Sequence, residues 1–225
     1  MNKDHLSPTI EDYLSAIYIH ERDGEAIIGA RLAELFNVSA PTVTNTLKRM
    51  VRDGWIAPHA QKNFCLTADG LRLAESVMRR HMLTEWMLSP MIAWSKVHDE
   101  AHNLEHSISD EVEQALQRIL KDPSVCPHGN PLPGNEELVA RWIPLPNIPA
   151  GSAIIIRRIH ELAEETPHLL EFLEKKGVMP GRSARVAEIE TINNTILLKM
   201  DEGSAELSLP VAKFIYVEPA GPGAV

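Results

Sequence analysis

The chain has 225 residues, 44% of them hydrophobic and 24% charged, with a net charge of −9. This is the composition of a soluble protein with room for two or three small domains. No apolar stretch approaches the roughly 20 residues that a membrane-spanning helix needs. The opening MNKDHLSPT carries no apolar leader, so a cytoplasmic location is expected. Cys65 and Cys126 lie outside any CxxC pattern, which excludes a zinc ribbon and leaves both expected as free thiols.

The charge is unevenly spread. Residues 1–80 balance ten basic against ten acidic groups, whereas 81–150 hold four basic and ten acidic. Within the first part, residues 48–80 carry seven basic and three acidic groups. A local basic face for phosphate and a carboxylate-rich region for cations are both compatible with this.

In chain order, Ile10, Tyr13, Leu14, Ile17 and Tyr18 recur at helical spacing after Thr9, which can cap the helix, and Gly24 ends it. A short helix follows in GARLAELF, then a turn at Asn37-Val38-Ser39. The next helix, Ala40 to about Asp53, starts on the Ser39 cap with Pro41 in its first turn and an apolar stripe at Val43, Leu47, Met50 and Val51. Trp55-Ile56 and Phe64–Leu66 read as short strands around a polar loop, and Thr67 caps a further helix. Helix, helix, turn, helix and two-stranded wing is the order of a winged helix-turn-helix.

From Ala68 to about Lys121 the chain reads as almost wholly helical. Leu83, Trp86, Met87, Leu88, Met91, Ile92 and Trp94 offer either a dimer seam or a face that packs under the C-terminal part. Seven prolines between 123 and 149 suggest an extended linker. Beyond it, 153–159, 184–189, 195–200, 205–209 and 214–217 alternate as strands, with a helix over 167–176. Five short strands predict a small SH3-like barrel, which can supply extra ligands or dock the proline-rich stretch. The fold class expected is therefore mainly α with small β parts. Domains are expected at 1–72 (winged helix-turn-helix), 73–140 (helical metal-binding and dimerisation) and 141–225 (linker and SH3-like barrel).

The densest metal-capable segment is VHDEAHNLEH, 97–106. His98, His102, Glu105 and His106 fall within about 100° of one helix face, and His81 and Glu85 stand one turn apart upstream. Imidazole with carboxylate suits divalent first-row metals. A solvated polar face with structural histidines is the plainer alternative. On the helix after the turn, Ser39, Pro41, Thr42, Thr44 and Asn45 occupy the half that meets base edges in a recognition helix. Lys48, Arg49, Arg52 and, in the wing, Lys62 are placed for phosphates.

The segments TIEDYLSAIY (9–18), SAPTVTNTLKRMVRDG (39–54), LTADG (66–70), VMRRHMLTEWML (77–88), VHDEAHNLEHSISDEVE (97–113) and PHGNPLPG (127–134) resemble the diphtheria toxin repressor family, which includes iron- and manganese-dependent regulators. The match covers nearly all of 7–135, and longer members carry a C-terminal SH3-like domain. The resemblance implies a homodimeric, metal-activated repressor that binds double-stranded operator DNA and controls metal-ion homeostasis, with up to two ions per subunit. It places the primary ligands on Asp12, His102, Glu105 and His106. It places ancillary ligands on His81, Glu85 and His98, joined by Glu165 and His168 from the SH3-like domain, with Glu164 as a rival to Glu165. Asp12 stands where the iron type has Met and the manganese type Asp, while His102 matches neither type. The harder oxygen of Asp12 favours Mn²⁺, and Fe²⁺ is the alternative. Two other readings are open to the residues alone: a His/Glu metalloenzyme, and a metal-independent winged-helix regulator. No membrane partner and no small-molecule substrate beyond the ion are expected.

Overall fold

A computed structural model describes residues 6–25, 27–59, 63–164 and 166–220. Contacts divide the chain into two compact units, Met1–His81 with His102–Gln114, and Met82–Ala101 with Ala115–Val225.

In the first unit, helix α1 spans Pro8–Arg22. Its N-cap is Ser7 rather than the expected Thr9, because Pro8 fits the first helical position, where no N–H is required. Ile10, Leu14 and Ile17 are buried on one face. Helix α2 spans Gly29–Leu35 and α3 spans Ala40–Arg52. Between them Asn37 takes φ 49°, a left-handed turn that Asn tolerates. Ser39 caps α3 by accepting from the Thr42 N–H at 3.3 Å. Val43, Leu47 and Met50 are buried under α3, and Tyr13 stacks on Phe36 at 4.5 Å. Strands β1 (Ile56–Pro58) and β2 (Phe64–Leu66) pair antiparallel as a wing. The Glu21 carboxylate on α1 accepts from the Leu66 N–H at 2.9 Å, tying α1 to that wing.

The helix α4 spans Ala68–Leu88. At its start Thr67 Oγ1 accepts from the Gly70 N–H at 3.1 Å. A side chain at Gly70 would place its first carbon 1.8 Å from the Trp55 carbonyl oxygen, so only glycine fits.

The almost wholly helical stretch expected to about Lys121 comes as three α-helices: α4, α5 (Val97–Glu105) and α6 (Asp110–Ile119). Pro90 disfavours helical geometry at Ser89 and lacks a donor. Ser109 Oγ accepts from the Val112 N–H at 3.3 Å and so opens a new helix.

In the second unit, among the described residues, an antiparallel sheet has six strands in the order β3-β8-β4-β5-β6-β7. These are β3 (Ile143–Pro144), β4 (Ala153–Ile159), β5 (Ser183–Glu190), β6 (Thr195–Met200), β7 (Gly203–Ser208) and β8 (Ile215–Pro219). This is the SH3-like domain, with β3 as a strand the alternation did not reveal. Ile154, Ile156, Val186, Leu198, Leu207 and Val217 fill its core. Leu169, Leu170 and Leu173 complete it from helix α8 (Leu169–Lys175). Helix α7, Glu161–Glu164, directly follows β4.

The stretch 123–149 is not an extended linker. Cys126, His128, Asn130 and Leu132 are buried, Val125 bridges to Pro131, and Leu145 and Ile148 enter the sheet core. Prolines break helices without preventing burial when turns satisfy the remaining backbone groups. Here Cys126 N–H donates to the Asn130 carbonyl and Gly129 N–H to the Cys126 carbonyl, at 2.8 and 2.9 Å. The segment also fixes two of the four tryptophans: Trp86 Nε1 donates to the Val125 carbonyl and Trp94 Nε1 to that of Pro127. Trp94 packs against the sheet core and so takes the packing alternative, whereas Met91 remains 63% exposed. Among the described residues no helix is long and apolar enough to cross a membrane.

Candidate metal centres and nucleic-acid interface

The first cluster lies wholly in the first unit. Asp12 on α1 meets His102, Glu105 and His106 at the end of α5, with one ligand atom from each within 4.8 Å of the others. The i, i+3, i+4 spacing of His102, Glu105 and His106 puts all three on one helix face. His102 Nδ1 lies 3.2 Å from Glu105 Oε1, and His106 Nε2 lies 3.2 Å from Asp12 Oδ1. Glu105 is buried and His102 is 54% exposed, so the cluster opens to solvent on one side.

The electrostatics suit a cation. Burial raises the Asp12 carboxyl against the pull of His102 and His106. Its Oδ1 is buried yet accepts no hydrogen bond, and such a carboxylate oxygen is costly unless a cation meets it. Burial alone would raise Glu105 too, but hydrogen bonds with His102 and His81 outweigh it and hold the carboxyl at about 2. The bond to Glu105 raises His102. Two carboxylates and two imidazoles therefore converge in an arrangement that fits a divalent first-row ion.

His81 belongs to this same unit, where its Nδ1 lies 2.5 Å from Glu105 Oε2. A residue the spacing did not single out is Glu11, whose Oε2 lies 2.5 Å from His106 Nδ1. Its neighbour Asp12 drew the attention, and nothing in the periodicity marks an i−1 carboxylate.

The second cluster lies in the second unit and is nearly dry. His98 Nδ1 stands 2.7 Å from Glu164 Oε2 and 3.4 Å from Glu85 Oε1. His128 Nδ1 stands 3.2 Å from Glu85 Oε1 and 3.3 Å from Glu164 Oε1. Cys126 completes a ligand-competent group with Glu85 and His128. His128 Nε2 lies 3.2 Å from the Trp94 carbonyl, which can only accept, so Nε2 carries a proton. Its Nδ1 then faces two carboxylates that also only accept, which calls for a proton or a metal between them. Burial lowers His98 and His128, but the Glu164 and Glu85 carboxylates prevail and raise both, His98 strongly. Burial and the same carboxylates push the Cys126 thiol well up.

From the C-terminal domain, Glu164 joins this cluster. Glu165 lies outside the described residues. His168 is 84% exposed and its Nδ1 lies 3.2 Å from Glu171 Oε2. His168 takes φ 61° as N-cap of α8 and lines the same pocket as Glu164, the last residue of α7. Cys126, expected only as a free thiol, and His128 are not singled out as donors by the sequence, because the prolines around them read as a linker; the histidine in PHGNP is the available signal.

Pro41, Thr42, Thr44, Asn45, Lys48, Arg49 and Arg52 are all exposed on α3. Some are already engaged within the chain. The Ser39 and Thr42 hydroxyls lie 2.9 Å apart, and Thr44 Oγ1 donates to the Ala40 carbonyl. Arg52 forms two bonds to Asp53, and Arg49 lies 3.7 Å from the same carboxylate. Lys62 lies outside the described residues.

Three family models match the chain: the iron dependent repressor N-terminal DNA binding domain over residues 5–63, the iron dependent repressor metal binding and dimerisation domain over 67–134, and the FeoA domain over 143–219. The iron-dependent repressor IdeR of Mycobacterium leprae is 34% identical over 226 residues, covering 95% of this chain and 98% of its own. The diphtheria toxin repressor of Corynebacterium diphtheriae is 45% identical over 135 residues, 59% of this chain and 60% of its own. Among solved structures, a manganese-dependent transcriptional repressor in complex with manganese matches with a TM-score of 0.81 and 26% identity, over 94% of this chain and all of that one.

Proposed function

This chain belongs to the iron-dependent repressor family of metal-dependent, DNA-binding transcriptional repressors, and we propose that Mn²⁺ is its activating ion, held by Asp12, His102, Glu105 and His106. The family is one of repressors and not of enzymes, so the metalloenzyme reading is set aside. The observation that carries the proposal is the buried Asp12 Oδ1, which accepts no hydrogen bond and sits among two imidazoles and a second carboxylate. A hard carboxylate oxygen at that position suits Mn²⁺ better than a softer ion. Two imidazoles, and the iron-dependent names of relatives such as IdeR, favour Fe²⁺ as the second reading.

When bound, the ion supplies positive charge that holds carboxylates and imidazoles from two helices together. The residues carry that constraint onward within one unit. Asp12 is fixed on α1; its neighbour Tyr13 stacks on Phe36 just after α2, and Glu21 of the same helix holds the wing. Through α1 the ion's site thus bears on the segments flanking α3, whose exposed Thr44 and Asn45 face base edges and whose Lys48 meets phosphate. In a homodimer two such helices read half-sites roughly 34 Å apart. A second ion belongs at Glu85, His98 and Glu164. Control of metal-ion homeostasis follows from coupling metal to DNA affinity, which is reciprocal.

Selection of duplexes from a random-sequence pool, run with Mn²⁺, anaerobic Fe²⁺, Zn²⁺ and chelator, tests this. A palindromic site enriched at lower Mn²⁺ than Fe²⁺, and not with chelator, is the expected result. Enrichment at lower Fe²⁺ makes the protein an iron regulator, and enrichment with chelator removes the metal from the mechanism.

A further inference from the structure

Helix α1 presents two consecutive carboxylates to one imidazole. Glu11 Oε2 lies 2.5 Å from His106 Nδ1, while Asp12 Oδ1 lies 3.2 Å from Nε2 of the same ring. Successive side chains leave a helix about 100° apart, so the two carboxylates reach opposite edges of the ring. Glu11 is itself anchored. Arg80 on α4 donates from Nη2 to Glu11 Oε1 at 3.1 Å, and from Nη1 to the Ile108 carbonyl at 3.4 Å. Glu11 is 8% exposed, so these bonds act in a partly dry setting where they orient strongly.

We propose that Glu11 is a positioning residue for the metal centre: it holds the proton of His106 on Nδ1 and so commits Nε2 to the ion, with Arg80 holding Glu11 in place. The inference rests on the assignment of Asp12, Glu105 and His106 as ligands.

A neutral imidazole has one N–H and one free nitrogen, and only the free nitrogen ligates. A carboxylate accepting from Nδ1–H fixes the tautomer, locks the ring orientation and makes Nε2 more basic. Nε2 is the nitrogen turned toward the other donors, 3.2 Å from Asp12 Oδ1 and 3.6 Å from Glu105 Oε1. Glu11 cannot readily serve as a ligand in its own right, because one oxygen meets Nδ1 on the far edge of the ring and the other meets Arg80. The same turn of α1 therefore supplies one ligand, Asp12, and orients another, His106. Seating α1 completes the site in two ways at once.

Mn²⁺ affinity of the full chain, read from the free-ion electron paramagnetic resonance signal, tests the proposal in wild type, Glu11→Ala, Glu11→Gln and Asp12→Ala. Loss of a residue that orients a ligating histidine typically costs 10–100-fold in metal affinity, and Glu11→Ala is expected in that range. Glu11→Gln still accepts from Nδ1–H through its amide oxygen and is expected to recover most of the loss, a rescue that depends on that one hydrogen bond. In Zn²⁺-loaded wild type, long-range ¹H–¹⁵N spectra are expected to show His106 with Nδ1 protonated and Nε2 bound; this readout needs no variant to fold. Glu11→Ala within twofold of wild type, or His106 bound through Nδ1, overturns the proposal. If Asp12→Ala alone loses affinity, only the positioning role falls. If neither variant loses affinity, the ligand assignment falls and the positioning role with it.

Discussion

The two donor clusters use the same side-chain types in different settings. In the first, His102 is 54% exposed and every donor lies on a helix or just past its end. In the second, His128, Glu85 and Glu164 have side chains no more than 1% exposed, and the donors come from α4, α5, the 126–128 segment and α7. An open cluster can exchange an ion with solvent at little cost to the fold, which is what a sensor needs. A dry cluster of charges is bound into the packing around it, so whatever occupies it also stabilises the unit. Under the proposed function, this contrast suits the first cluster to switching and the second to support.

Truncating one histidine in each cluster should break the symmetry most visibly. Removing one partner of a buried charged network costs about 3–5 kcal/mol, and His128→Ala is expected there by chemical denaturation of the metal-free protein. His102→Ala, half-exposed, should cost less than about 1 kcal/mol. Equal losses would mean that the two clusters do not differ as described.

Acid sharpens the comparison. The Glu105 carboxyl is held at about 2, below its ordinary 4.5. Its ionised form therefore adds stability that is fully present above about pH 4.5 and is lost as pH falls toward 2, on the order of 3 kcal/mol. His98 and His102 are raised instead, so their contribution is full below the ordinary histidine value and fades as pH rises through the raised one. Glu105→Gln should flatten the acid limb of a metal-free stability–pH curve; an unchanged limb would show that the carboxylate is not held by His81 and His102.

Smaller effects are expected on α3. Asn45→Ala should cost about 1–3 kcal/mol of DNA affinity and relax preference at one base pair. Lys48→Ala should weaken binding evenly and lower the salt slope by about 1. Competition binding against single-substitution duplexes and a salt titration distinguish them, and an Asn45→Ala loss spread over all sequences would make Asn45 a phosphate contact.

Legibility in the sequence followed regular geometry. The Ser39 cap, the α3 stripe and the His102–Glu105–His106 face repeat with the helix, so spacing alone assembles them. Asp12 was identified through the resemblance, since a carboxylate 90 residues away has no periodic link to that face. Glu11 had no marker beyond its neighbour. Cys126 and His128 sit in a proline-rich stretch whose burial depends on turn bonds and on Trp86 and Trp94 from elsewhere in the chain, and local pattern does not encode such partners.

The most direct test of the central claim is fluorescence anisotropy on a selected duplex, comparing wild type with Asp12→Ala across a Mn²⁺ titration and after chelation. The account predicts tight wild-type binding that chelation abolishes, and at least a hundredfold weaker response in a variant that melts like wild type without metal. An undiminished Mn²⁺ response in Asp12→Ala would contradict it.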